Sequence, residues 1–419
     1  MSKKARTILF FILVIIFLII TPIIIFYSEG YRFDFESRKI IETGGIFIKT
    51  YPGEANILIN DKKEKTTSNF TRNVLIQNLV PKNYNIKINK QGYLPWEKNI
   101  EITEKKVSEI DIVLFKDSYN KTALNDDIIN ISKIDNGFIL EKETGFYYYN
   151  PENKKEDLIT ENIFWDNVQI LKNDLLTRKG NKYYLINSAG TKEFNNIGQI
   201  NFKKDNLNNV YYQIENRLYK NNELIKTNIN LYELNNNTVY YFRDNYLYRD
   251  DAKLISDEFL IDESKDYKLL FIYNKIFLNE NNEKLYILDD NEFKKIINLN
   301  NNFEYSEWDG KILINTGNEI WAYFAKETYY PEFTNQNTLK LIARFQSPIK
   351  DLYFVNDKYY IFIKEKKLMV SEFDYRDSIN IFTIANNLQE DSQAFFNYDN
   401  KNIYIFENNV LYSIDKIIP

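Results

Sequence analysis

One short hairpin recurs along this chain with few changes. Residues 210–219 read VYYQIENRLY, residues 239–248 read VYYFRDNYLY and residues 403–412 read IYIFENNVLY. Each is an apolar strand, a polar turn of a few residues, and a second strand that places a large aliphatic beside Tyr. Asn, Asp and Gly at such turns are what a tight hairpin requires. Weaker copies begin at Phe138, Leu269, Ile312 and Tyr359, with a poor one near Val168. A single hairpin cannot bury its own two faces, so the copies must stack. The repeat predicts a β-propeller over residues 116–419, and at roughly 43 residues per blade about seven blades.

The N-terminus constrains where that propeller can lie. Lys3, Lys4 and Arg6 precede an uncharged apolar run from Ile8 to Phe26. At about 1.5 Å per residue this run reaches roughly 28 Å, close to the thickness of a bilayer's hydrocarbon core. The expectation is one transmembrane α-helix over residues 8–26, in contact with the lipid bilayer. The basic residues ahead of it place residues 1–7 in the cytoplasm and the bulk of the chain outside the cell membrane. A secretory signal has a shorter apolar core, about 7 to 15 residues, and a small-residue cleavage site. Tyr27-Ser28-Glu29-Gly30 makes a poor one, so the run reads as an uncleaved anchor.

Residues 27–44 read as a linker with a short strand from Tyr31 to Phe35, broken by Gly44 and Gly45. Period-2 alternation follows: Ile46, Ile48 and Thr50; Ile57 and Ile59; Ile86 and Ile88; Ile100 and Ile102; Ile110, Ile112 and Leu114. Short alternating strands separated by turns predict a small β-sandwich over residues 45–115. Tyr51-Pro52-Gly53-Glu54-Ala55, then Ile57 to Asn60, Leu79 to Tyr84, Gly92-Tyr93 and Trp96 stand in an order that resembles the PEGA domain. That family is a small extracytoplasmic β-sandwich named after its Pro-Glu-Gly-Ala turn. Here Gly53 precedes Glu54, so the left-handed position of the turn is expected to move. Asn83 stands where the family often has Gly before Tyr, and Asn is the next best residue for a left-handed backbone. The hairpin repeat in turn resembles WD40-like and TolB-like bacterial propellers. The fold class expected is thus an all-β ectodomain, a PEGA-like sandwich followed by a propeller, behind one transmembrane helix.

Composition removes much chemistry. The chain contains neither His nor Cys. Disulfides, thiolate or imidazole metal sites, and nucleophiles activated by His are therefore excluded. A formal charge of −5, with no long basic block, argues against nucleic acid. No phosphate-cradling glycine loop and no nucleophile elbow occur, so no cofactor is expected. Asp289-Asp290-Asn291-Glu292 lacks the spacing of a calcium loop and reads as a solvated turn.

Paired carboxylates remain, because glycoside hydrolysis needs only two of them a few ångströms apart. Asp166, Glu233 and Glu307 lie next to Trp165, Tyr232 and Trp308, rings able to stack on sugars. With 59 acidic residues such neighbours arise by chance, so no catalytic pair is named. Tyr211-Tyr212 and Tyr240-Tyr241 put one ring on each face of a strand, with one expected between blades and the other over an edge. The function expected is non-catalytic: a cell-envelope protein whose propeller binds envelope protein or polysaccharide. A carboxylate-dependent glycan hydrolase is the alternative.

Overall fold

The computed structural model describes residues 3–34, 38–134, 137–161, 167–171, 174–180, 182–187, 190–195, 201–300 and 303–418. The chain divides into two compact units. One comprises residues 1–118 with 375–382 and 418–419, the other residues 119–374 with 383–417.

The first unit opens with an α-helix, Lys3–Ser28, which holds Pro22 and exposes its apolar side chains on every side. A helix hydrophobic all round is stable only in an apolar surrounding. Its segment Arg6–Ser28 is long and apolar enough to cross a membrane, and fits a single-pass anchor or a signal sequence. A hairpin follows, Tyr31–Asp34 with Lys39–Glu42; Phe35, expected at the end of its first strand, lies outside the described residues.

The sandwich is built from two sheets. In one, Gly44–Tyr51 pairs antiparallel with Asn73–Leu79 and parallel with Val107–Val113. In the other, Lys62–Thr66, Asn56–Ile59, Asn83–Asn89 and Trp96–Glu101 lie in that order. Every alternating residue named from the sequence is buried, from Ile46 to Leu114, because these side chains share the space between the sheets.

Three local expectations need correction. Gly44 and Gly45 do not break the chain but open a strand. A Cβ on Gly44 would come within 2.4 Å of the Thr103 carbonyl oxygen, so close packing requires this glycine. The swapped turn does not move its left-handed position: the third residue, Glu54, has φ of 59°, while Gly53 lies where a Cβ would meet the Ser68 carbonyl oxygen at 2.6 Å. Asn83 is not left-handed and begins a strand; Asn78 is, with φ of 65°. Because a side chain at positive φ is strained, Glu54→Gly is expected to stabilise the sandwich by about 0.5 to 1 kcal/mol. A raised urea midpoint with unchanged slope would register it, and a lowered midpoint would refute it.

The second unit is a β-propeller, as expected, with eight blades among the described residues where the repeat suggested about seven. Eight four-stranded sheets follow one another among the described residues. Blade 1 runs from Asn130–Ile134 to Lys155–Glu161, blade 2 from Asn167–Leu171 to Gly190–Asn195, and blade 3 from Asn201–Lys204 to Glu223–Thr227. Blade 4 runs from Leu231–Asn235 to Ala252–Lys253, blade 5 from Tyr267–Ile272 to Glu292–Asn298, and blade 6 from Glu304–Trp308 to Thr338–Arg344. Blade 7 runs from Ile349–Phe354 to Ile381–Ala385. Blade 8 takes Gln393–Phe396, Ile403–Glu407 and Val410–Ile414 from the C-terminal end and its outer strand, Lys121–Asn125, from the start of the unit.

Neighbouring blades share apolar clusters. Ile134 and Phe146 meet Leu175 and Ile186 between blades 1 and 2. Phe194 meets Phe202 and Tyr212 between blades 2 and 3, and Tyr211 meets Tyr232 and Tyr241 between blades 3 and 4. Phe242 meets Leu269 between blades 4 and 5, and Phe277 meets Tyr323 between blades 5 and 6. Phe324 packs near Phe373, linking blades 6 and 7. The Ala394 N–H donates to Asp351 across blades 7 and 8. Phe138, Phe395 and Tyr404 close the ring between blades 8 and 1.

The turns follow from Asn and Asp. At the two-residue loops Asp244-Asn245, Asn408-Asn409, Asp290-Asn291 and Asn221-Asn222 both residues have positive φ, the geometry of the hairpin turn that suits strand twist. The Asp289 to Glu292 segment is such a turn, as expected, with Lys294 2.9 Å from Asp289 and 3.3 Å from Asp290.

Candidate functional site

Two places in the propeller gather polar side chains, its centre and a groove at the seam of the ring. The centre is identified by contacts that skip a blade. Lys133 of blade 1 donates to the carbonyl oxygen of Phe396 and lies 5.3 Å from the ring of Tyr353 in blade 7, passing blade 8. It also lies 5.2 Å from the ring of Tyr398. Tyr305 of blade 6 is raised above the usual tyrosine range by burial and by the charges of Glu307 and Glu233, the latter in blade 4. Only the middle of a ring brings such residues together. Ser306 Oγ is 3.3 Å from the Tyr398 hydroxyl and accepts the Phe354 N–H at 2.8 Å.

Of the acidic candidates, Asp166 lies outside the described residues, as does Trp165. Glu233 forms an ion pair with Lys203 of the adjoining blade. Glu307 is raised by burial, against a backbone hydrogen bond from Tyr273. Their aromatic neighbours do not serve as sugar platforms together. Tyr232 is fully buried and donates to the Tyr211 carbonyl oxygen at 3.0 Å, while Trp308 packs near Tyr398.

A closer acidic association was missed. Asp351 is pushed up to about 6, first by burial, while the Ala394 N–H acts to lower it and Glu304 to raise it. Asp351 Oδ2 accepts that N–H at 2.8 Å. Glu304 Oε2 accepts from Asn315 Nδ2 at 3.1 Å and from the Leu352 N–H at 3.4 Å. Both carboxylates therefore tie inner strands together, and neither has a sequence neighbour that announces it.

The tyrosine pairs also depart from expectation. All four rings are buried, Tyr212 and Tyr211 in clusters on opposite sides of blade 3, Tyr241 and Tyr240 on opposite sides of blade 4. A second strand is covered on both faces by neighbouring blades, so neither ring reaches an open edge.

The seam groove encloses a cavity of about 520 Å³, bounded by the approach to blade 1 (Asp127, Ile129), its hairpin (Glu143, Thr144) and Asn409 of blade 8. Tyr147 and Glu156 line its wall. Lys142 Nζ is 3.0 Å from Glu156 Oε2, which also accepts from Asn125 Nδ2 at 2.6 Å. The Tyr147 hydroxyl is 2.7 Å from Thr144 Oγ1. The walls thus offer carboxylates, a hydroxyl and a ring, with one lysine already partnered. Such a surface can hydrogen-bond a hydroxyl-rich ligand and disfavours an anionic one. Among the described residues no group of acidic side chains is arranged to hold a metal ion.

Comparison with solved structures finds propellers of low sequence identity. The β-propeller domain of Cps50 (Swd1) from Myceliophteria thermophila aligns with 10% identity over 72% of this chain and 100% of its own, at a TM-score of 0.41. A catalytically inactive virginiamycin B lyase from Staphylococcus aureus, with quinupristin, aligns with 13% identity over 71% of this chain and 98% of its own, at a TM-score of 0.39. Likeness at this level carries no functional argument; the propeller stands on the strand order above. No curated protein matches the chain. The PEGA domain family matches residues 43–118, the segment that holds both sheets of the sandwich. The chain therefore carries a PEGA domain, set between an apolar N-terminal helix and an eight-bladed β-propeller.

Proposed function

We propose that this is a non-catalytic cell-envelope protein, held in the membrane by residues 8–26, whose propeller binds polysaccharide at the seam groove. Residues 1–7 lie in the cytoplasm on this reading. The sandwich over residues 45–115 spaces the propeller of residues 116–419 from the bilayer, on the extracytoplasmic side. The observation that carries the reading is the groove: an open polar cavity of about 520 Å³ lined by hydrogen-bonding side chains beside Tyr147. Tethering to the envelope raises the effective concentration of such a site, so modest affinity suffices.

The hydrolase alternative draws on Asp351, held protonated up to about pH 6 near Glu304. Both carboxylates are occupied by backbone N–H groups from the inner strand of the next blade, which favours binding over catalysis.

Co-sedimentation with isolated envelopes tests the proposal, comparing residues 27–419 with residues 27–118. Saturable binding that needs the propeller, survives protease treatment of the envelopes and falls at least about tenfold, or 1.4 kcal/mol, in an Asp127→Lys/Glu143→Lys variant is expected. Binding lost with protease would point to a protein partner, and release of glycan fragments by the unmodified fragment would favour the hydrolase. Ser118→Cys supplies the chain's only thiol, and its labelling on intact cells by an impermeant reagent is expected for this orientation.

A further inference from the structure

The strand pair after the N-terminal helix carries an apolar pair, Phe33 and Ile40, that is more than half exposed. Strands Tyr31–Asp34 and Lys39–Glu42 are in register so that Tyr31 faces Glu42 and Phe33 faces Ile40. Residues two apart on a strand share a face, so Tyr31, Phe33, Ile40 and Glu42 all project to one side. The Tyr31 end of that face is fastened. Its ring meets Phe26, in the last turns of the helix, edge-on at 5.5 Å, and its hydroxyl bonds Glu42. Glu42 is also 2.7 Å from Lys105 of the sandwich. Arg32 adds a second tie to the helix end, its guanidinium 3.4 Å from the Tyr27 ring centroid and 2.8 Å from the Tyr27 carbonyl oxygen.

Farther along the same face Phe33 is 51% exposed and Ile40 is 66% exposed. At about 3.3 Å per residue they lie roughly 7 Å from Tyr31, within reach of the layer where an apolar helix leaves its lipid. Apolar side chains thus follow one another from the helix end through Phe26 and Tyr31 to Phe33 and Ile40. Apolar area left in water forgoes the gain of burial, and a two-stranded hairpin is marginal in water on its own. In a lipid headgroup layer the same pair is favourable, because aromatic and aliphatic side chains partition there.

We infer that the strand pair 31–34 and 39–42 is an interfacial foot, inserting Phe33 and Ile40 into the lipid surface that the helix leaves. It fixes the angle at which the sandwich departs from the bilayer and converts a single-point tether into a two-point one. The opposite face, with Arg32, Ile41, Asp34 and Lys39, stays on the water side.

This inference rests on the helix spanning a membrane, and the experiment separates the two. The full chain, free of native Cys, is placed in lipid nanodiscs with one nitroxide label at a time. The sites are Ile16→Cys in the helix, Ile40→Cys on the foot, Lys39→Cys on its far face, and Leu207→Cys, 68% exposed in the propeller. Relaxation by oxygen, which concentrates in lipid, is compared with relaxation by a water-soluble nickel chelate. The expected result is an oxygen-to-nickel ratio at Ile40 several-fold above that at Leu207 and below that at Ile16, with Lys39 equal to Leu207. A lipid-buried Ile16 with Ile40 equal to Leu207 overturns the foot and leaves the anchor standing. An aqueous Ile16 overturns both.

Discussion

Phe138→Ala is expected to destabilise the propeller by about 3 to 5 kcal/mol, the largest effect of any single truncation at the seam. Phe138 is fully buried, with the rings of Phe395 and Tyr404 at 5.4 and 5.3 Å. It comes from blade 1 and they come from blade 8, so the cavity opens at the one junction where the two ends of the ring meet. Urea unfolding followed by tyrosine circular dichroism would measure the loss, and limited proteolysis should place the first cuts near the seam. A cost below about 1 kcal/mol, the level of surface changes, would mean that the ring does not depend on this cluster.

Lys204→Met is expected to cost a similar amount for a different reason. Lys204 closes the inner strand of blade 3, and its ammonium pairs with Asp174, which begins the second strand of blade 2. Both side chains are largely buried, and Asp174 otherwise accepts from Asn187 Nδ2 at 3.2 Å. Removing one partner leaves a carboxylate out of water without its counter-charge, at about 3 to 5 kcal/mol. Replacing both, by Lys204→Met with Asp174→Leu, should recover most of that loss, since an ion pair taken out of water gains little over apolar packing. The double-mutant cycle reads the difference. If the double variant is no better than the single one, the pair matters for shape rather than for charge.

What the sequence disclosed follows a physical rule. Ile46, Ile48, Ile57, Ile86, Ile88 and Ile110 were legible as the sandwich core because one face of each strand is buried, which leaves a period of two. The hairpins at Val239 and Ile403 were legible because their turns need left-handed residues and use Asn and Asp, whereas the one at Val210 puts Glu215 in that conformation. Blade number was not. Length divided by an average blade suggested seven, whereas the blades are short, down to the two-residue outer strand Ala252–Lys253 of blade 4. The copy read at Leu269 is the first hairpin of blade 5, not the second, so its spacing misled. The closing strand Lys121–Asn125 is polar and partly exposed, and its partner stands at the other end of the chain. The centre of the ring was hidden for the same reason. Lys133 of blade 1 reaches Phe396, Tyr353 and Tyr398 through closure, which no local window contains.

That closure also sets an order of events as the chain is made. Lys121–Asn125 is synthesised well before Val410–Ile414, the strand it pairs with. At about 5 to 20 residues per second the early strand waits roughly 15 to 60 s for its partner. During that interval blade 1 has no eighth blade to cover Phe138, and an unpaired edge invites other chains. Until that strand is made, the growing polypeptide is vulnerable to proteases and to aggregation at this edge. A chain cut short anywhere ahead of Val410 would be left as an open arc, its early strand without a partner.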